Sequence, residues 1–180
     1  MQVYDHLPMV LAPYVTTTSQ PNFRSAVVNT DAFGFRLSSG QDASRDDSVD
    51  STSWWRQNRR ALLIGGSFVF GVGAAGDRHT VASVLNARTS HTFLNLGIRA
   101  ANSTQELIAS VPFLDSAELV IVCSGINNLV VGLQSRGRNE LYGPLFTEGA
   151  IEALATHSVH ELAALVQARL GSIGIRSLLN

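Results

Sequence analysis

The chain has 180 residues, enough for one domain with a substantial core and too few for two. It is 45% hydrophobic, and its 13 basic residues, all arginine, nearly balance 14 acidic ones for a net charge of -1. That balance removes the electrostatic case for nucleic acid or an acidic membrane surface as a partner.

The N-terminal stretch "MQVYDHLPMVLAPYV" has no basic start, and Pro8 and Pro13 break its apolar run, so it has the character of neither a signal peptide nor a membrane span. Residues 1–37 otherwise have the look of extended chain wrapped on a domain. Residues 38–58 are rich in Ser and Asp and almost free of apolar residues before Trp54, which predicts a mobile loop. The adjacent Trp54 and Trp55 are expected to anchor its end on the core, the alternative being an exposed contact surface for another chain. The chain is thus divided into an N-terminal arm with its loop, 1–58, and an α/β domain, 59–180.

From residue 60 the pattern becomes regular. "ALLIGG" is a short apolar run bounded by glycines, as in a fully buried parallel strand. "DRHTVASVLNA" follows as a short helix capped by Asp77 or Thr80. "HTFLNLG" reads as a second strand. In "NSTQELIASVPFL" Ser103 and Glu106 have the spacing of a capping box at the start of a helix. "ELVIVCSG", 118–125, is a third strand carrying the single cysteine, Cys123, expected as a small buried residue; one cysteine excludes an internal disulfide. A loop from about 129 to 147 leads to a long helix, in which Ile151, Leu154, Leu162, Leu165 and Leu170 recur at helical spacing and Gly171 marks the stop.

Alternating strands and helices predict an α/β fold with a parallel sheet, here reduced to about three core strands. The active edge of such a sheet is at the strands' carboxyl ends. All three strands end in small polar turns: "GGS" at 65–67, "NLG" at 95–97 and "SGINN" at 124–128. Brought together, they would set the Ser67 hydroxyl, a potential nucleophile, beside the Gly97 amide and the Asn127 side chain, two donors able to stabilise an oxyanion.

These residues resemble a known family. "LLIGGSFVFGVGAAGDRHTVASVLN" resembles block one of the SGNH (GDSL-type) hydrolases, with Gly-Gly-Ser in place of the common Gly-Asp-Ser. "FLNLGIRAANSTQELIA" resembles block two, and "LVIVCSGINNL" resembles block three, Gly-x-Asn-Asp, with Asn128 in place of Asp. "VNTDAFGFR" at 28–36 is similar to the lead-in of some bacterial members, so the likeness spans about 28–130. It implies a flavodoxin-like, three-layer fold with strand order 2-1-3-4-5, and a serine ester hydrolase or acyl transferase acting on a small molecule. Ser67 would be the nucleophile, Ser67 N–H, Gly97 and Asn127 the oxyanion donors, and Gly66, Gly125 and Asn128 further substrate contacts.

The family's general base is the His of a C-terminal Asp-x-x-His, which this sequence lacks: none of His6, His79, His91, His157 and His160 follows an Asp by three residues. His157 and His160 share one helix face, but a third metal ligand is not identifiable, and no metal or cofactor is expected. Without strands four and five, the 118–124 strand would be an open apolar edge. The reading is therefore a cytoplasmic protein with an obligate partner, a different chain or a second copy, that covers this edge and supplies the base; the tail "SIGIRSLLN" folding back is the other remedy. Two further functions stay open: an oxyanion pocket reused to bind a sulfate or phosphate leaving group in a biosynthetic elimination or cyclisation, and a non-catalytic subunit stabilising a catalytic partner.

Overall fold

The structure is a computed structural model describing residues 6–41 and 47–134. At its centre is a three-stranded parallel sheet: β5 (Arg60–Gly65) in the middle, β6 (Thr92–Gly97) on one side and β7 (Leu119–Cys123) on the other. The apolar runs of β5 and β6 become strands because their alternate residues find cover on both faces. Leu62, Ile64, Leu94 and Leu96 pack on one face against Phe113 of helix α3 (Ser103–Leu114). Ala61, Leu63 and Phe93 pack on the other against Val69 of α1 (Ser67–Phe70) and Ala82 of α2 (Val81–Arg88). The result is a mixed α/β layering compatible with a flavodoxin-like core. Each fully buried Leu or Ile contributes about 1.5–3 kcal/mol.

The register of the sheet sets where its turns open. Gly65 is level with Gly97 on one side and Cys123 on the other, so all three strands end together. Their turns therefore share one edge of the sheet.

The N-terminal arm is more ordered than its sequence suggests. Met9–Ala12 (β1) and Thr16–Ser19 (β2) form an antiparallel hairpin, and Ser38–Ser39 (β3) pairs with Ser48–Val49 (β4) within the stretch expected as a loop. Trp54 is fully buried, and its indole N–H donates to the carbonyls of Ala61 and Thr92 at 3.0 and 3.1 Å. It thereby clamps the start of β5 to β6. Trp55 stays partly exposed and stacks on Phe113.

The arm's strongest attachment is Arg36, of the "GFR" lead-in. Its side chain is wholly buried and pairs with Asp77 at 2.7 Å. It also donates to the carbonyls of Gly71 and Val27, each at 2.7 Å, and lies over the Phe70 ring. Asn29 completes the clamp by donating to the second Asp77 oxygen. Asp77 is committed here, so Thr80 alone caps α2, accepting from the Ser83 N–H.

Three sequence expectations need correction. The helix α3 is capped by Asn102 and Gln105, one position earlier than the Ser103–Glu106 pair. Residues 126–134 are helical where the end of a turn and, from about 129, a loop were expected: α4 runs Ile126–Gln134, with Ile126, Leu129, Val130 and Leu133 at helical spacing. Cys123 is exposed, not buried.

Among the described residues β7 pairs only with β5, and Val122, Ile126, Leu129 and Leu133 are more than half exposed. No helix among the described residues is long and apolar enough to cross a membrane. The expected helix over 151–170, its His157 and His160, and the tail from 172 lie outside the described residues.

Candidate functional site

Three turns meet around residues 66–70. Strand β5 runs out at Gly65, Gly66 takes the N-cap position, and Ser67 opens the one-turn helix α1, which Gly71 ends in the left-handed conformation (φ 87°). Glycine is required at 71 because a side chain at that angle is strained.

Gly97 is where β6 meets this turn. A Cβ there would lie 2.1 Å from the Phe70 backbone nitrogen, so only glycine lets the end of β6 press against α1. Its N–H, however, donates to Asn95 Oδ1 at 3.0 Å. The donor expected of Gly97 is thus already engaged. What the residue provides is close backbone approach.

From the third turn, Asn127 reaches over Gly66. A Cβ on Gly66 would lie 2.9 Å from Asn127 Nδ2. The same amide donates to the Ala101 carbonyl at 2.6 Å, which fixes its orientation and leaves its second proton for a ligand. Asn128 turns away from this pocket: its Oδ1 accepts from the Ser103 N–H and its Nδ2 donates to Ser103 Oγ. It ties α4 to the start of α3. Gly125 has φ 114° and open space where its Cβ would be, so glycine serves the backbone angle of the turn.

Ser67 is half-buried, and among the described residues its hydroxyl has no hydrogen-bond partner. Its N–H and that of Phe68, in the first turn, have no acceptor within the helix. The pocket edge thus carries an uncommitted hydroxyl, backbone donors and one amide proton.

The residue that sequence reasoning missed is Glu106. Because Asn102 and Gln105 form the cap, Glu106 falls on the inward stripe of α3 with Gln105, Ser110 and Phe113 and is only 3% exposed. Its Oε1 lies 3.6 Å from the Cβ position of Gly66. Its Oε2 is buried without a hydrogen-bond partner. Burial pushes this carboxyl above the ordinary value of 4.5, and an interaction with the Ser124 hydroxyl works weakly in the opposite sense. The signal in the sequence was an acidic residue at a position whose helical neighbours three and seven further along, Ala109 and Phe113, face the core.

Among the described residues no histidine is hydrogen-bonded to Ser67. His91 precedes β6 at the opposite end of the sheet, close to Arg59 and Glu118. No group of three His, Cys, Asp or Glu side chains among the described residues is arranged to hold a metal ion. No family model matches the chain, and no curated protein is significantly similar to it.

Proposed function

We propose that this chain carries a serine acyl-transfer site of SGNH type, acting as an ester hydrolase or acyl transferase on a small molecule, in a complex whose partner supplies the base and covers β7. The observation that supports it most is the Ser67 hydroxyl, half-buried and uncommitted, next to a Gly66 that the Asn127 amide overhangs.

In the proposed reaction Ser67 Oγ attacks the ester carbonyl carbon while its proton passes to the partner's base. The carbonyl π electrons move to oxygen, held by the Ser67 N–H and the free Asn127 proton. Collapse expels the alcohol, which takes the proton from the base. Water or an acceptor hydroxyl then removes the acyl group by the same steps in reverse. Gly97 shapes the pocket from beneath α1 and enters as a third donor only when Asn95 releases its N–H.

The test is covalent labelling of the full chain, alone and co-purified with any bound partner, by a fluorophosphonate, with the adduct located by mass spectrometry. An adduct on Ser67, absent in Ser67→Ala, is expected; a folded, assembled protein that takes no label at Ser67 would overturn the reading. The engaged Gly97 N–H favours one alternative, a non-catalytic subunit. On that view, a Ser67→Ala, Asn127→Ala double variant leaves a partner's activity intact.

A further inference from the structure

Glu106 is not explained by the fold. Its stripe of α3 packs on Leu62, Ile64, Leu94 and Leu96, where an apolar residue would serve better. A buried carboxylate costs several kcal/mol without a counter-charge, and a buried oxygen left without a partner costs about 1–3 kcal/mol.

The groups placed around it are uncharged: Gly66 at the end of β5 and Ser124 after β7, with the Asn127 amide of α4 and the Ala101 carbonyl before α3 lying against the same Gly66 Cβ position. Ala101 O lies 3.8 Å from the same Gly66 Cβ position that Glu106 Oε1 approaches to 3.6 Å. A carbonyl oxygen beside a carboxylate repels it, whereas a carboxylic acid has a proton to share. Three separate segments therefore meet around the Gly66 Cβ position. They are the two turns that carry Ser67 and Asn127, and the acceptor that orients Asn127.

We propose that Glu106 is a positioning residue of this pocket, reaching from α3 to the Gly66 and Ser124 turns and holding the Asn127 amide in place beside Ser67. The neutral form lets the two turns close on it. Ionisation forces the buried carboxylate to draw in water, and the turns part. The Asn127 donor then drifts from the position an oxyanion would take.

This inference rests on the Ser67 reading for its kinetic consequence but not for its titration. The first measurement is therefore direct: the carboxyl carbon of Glu106 is followed by NMR in glutamate-labelled protein, its signal assigned by its loss in Glu106→Gln. The expected midpoint lies above the ordinary 4.5. A midpoint at or below that value overturns the proposal, whether or not Ser67 is reactive.

The second measurement is the fluorophosphonate labelling rate of Ser67 against pH. The wild-type rate should fall at the midpoint found by NMR. Glu106→Gln, a neutral isostere, should keep the low-pH rate within about threefold and lose that fall, whereas Glu106→Leu should be slower by about tenfold or more, as expected for a displaced donor. Equal losses in both variants, or a wild-type profile with no fall at the NMR midpoint, refute the positioning role. Complete absence of label on the wild type refutes the Ser67 reading instead, and the NMR midpoint still decides the state of Glu106.

Discussion

Replacing Arg36 with Ala tests whether the N-terminal arm holds the serine turn in place. The guanidinium is fully buried, paired with Asp77 at 2.7 Å, and bonded to the Gly71 carbonyl at the foot of α1. Removing it leaves a carboxylate without its cation and the carbonyls of Gly71 and Val27 without this donor. Breaking a buried ion pair from one side costs about 3–5 kcal/mol. Asp77 is 18% exposed, so water reaches it and the lower end applies, about 3 kcal/mol. At about 2–4 °C per kcal/mol for a chain of this size, the melting temperature should drop by about 6–12 °C. Urea unfolding monitored by circular dichroism gives the free-energy difference directly, provided the slope is unchanged. The internal control is Arg59→Ala, which removes a half-exposed pair with Glu118 at 3.5 Å. Such a pair contributes no more than about 1 kcal/mol. Should the two variants lose equal stability, the view of Arg36 as the clamp on α1 is wrong.

Gly97→Ala should destabilise by about 3 kcal/mol or more, because its Cβ would meet rigid Phe70 backbone at 2.1 Å; near-native urea unfolding would refute the close approach. Gly66→Ala meets only the end of the Asn127 side chain, so unfolding should shift by about 1 kcal/mol while Ser67 labelling slows by about tenfold; unchanged labelling would separate Asn127 from the pocket. Asn102→Ala should cost about 1 kcal/mol and Ser103→Ala distinctly less, measured the same way, because Asn102 is the helix cap. Glu106 gives a pH dependence. Its folded pKa is raised above the unfolded one, so the stability it confers is complete below the ordinary 4.5 and is lost as pH rises through the folded value. Glu106→Gln should therefore gain on the wild type as pH rises across that window, and a constant difference between them would contradict it.

Where the sequence was readable, it was because one local rule was unopposed. The glycine-bounded apolar runs at 60–65, 92–97 and 119–123 are short, β-rich and flanked by turn residues, and each is a strand. Ser67, Gly97 and Asn127 are legible as candidates because they punctuate those strands. The capping box failed because two pairs of suitable residues lie one position apart, Asn102–Gln105 and Ser103–Glu106, and local rules rank both as plausible. The choice was settled by distant partners: Gln105 donates to the Val15 carbonyl in the arm, and Asn128 takes up Ser103. Helix α4 was missed for a different reason. Its apolar residues begin directly after the "SGINN" turn, and turn composition masked the helical period of Ile126, Leu129, Val130 and Leu133.

The order of apolar runs and turns determined by itself that three parallel strands would end at one edge and offer a hydroxyl, a glycine and an amide there. Those features depend on neighbours within a few residues, which the linear pattern contains. Only the tertiary structure decided that the Gly97 N–H is engaged by Asn95, that Arg36 grips the far end of α1, and that Glu106 sits beneath Gly66. Each of these depends on which donors and acceptors are brought within 3–4 Å by packing, and hydrogen bonding and burial at that range carry no trace in a chain read one residue after another.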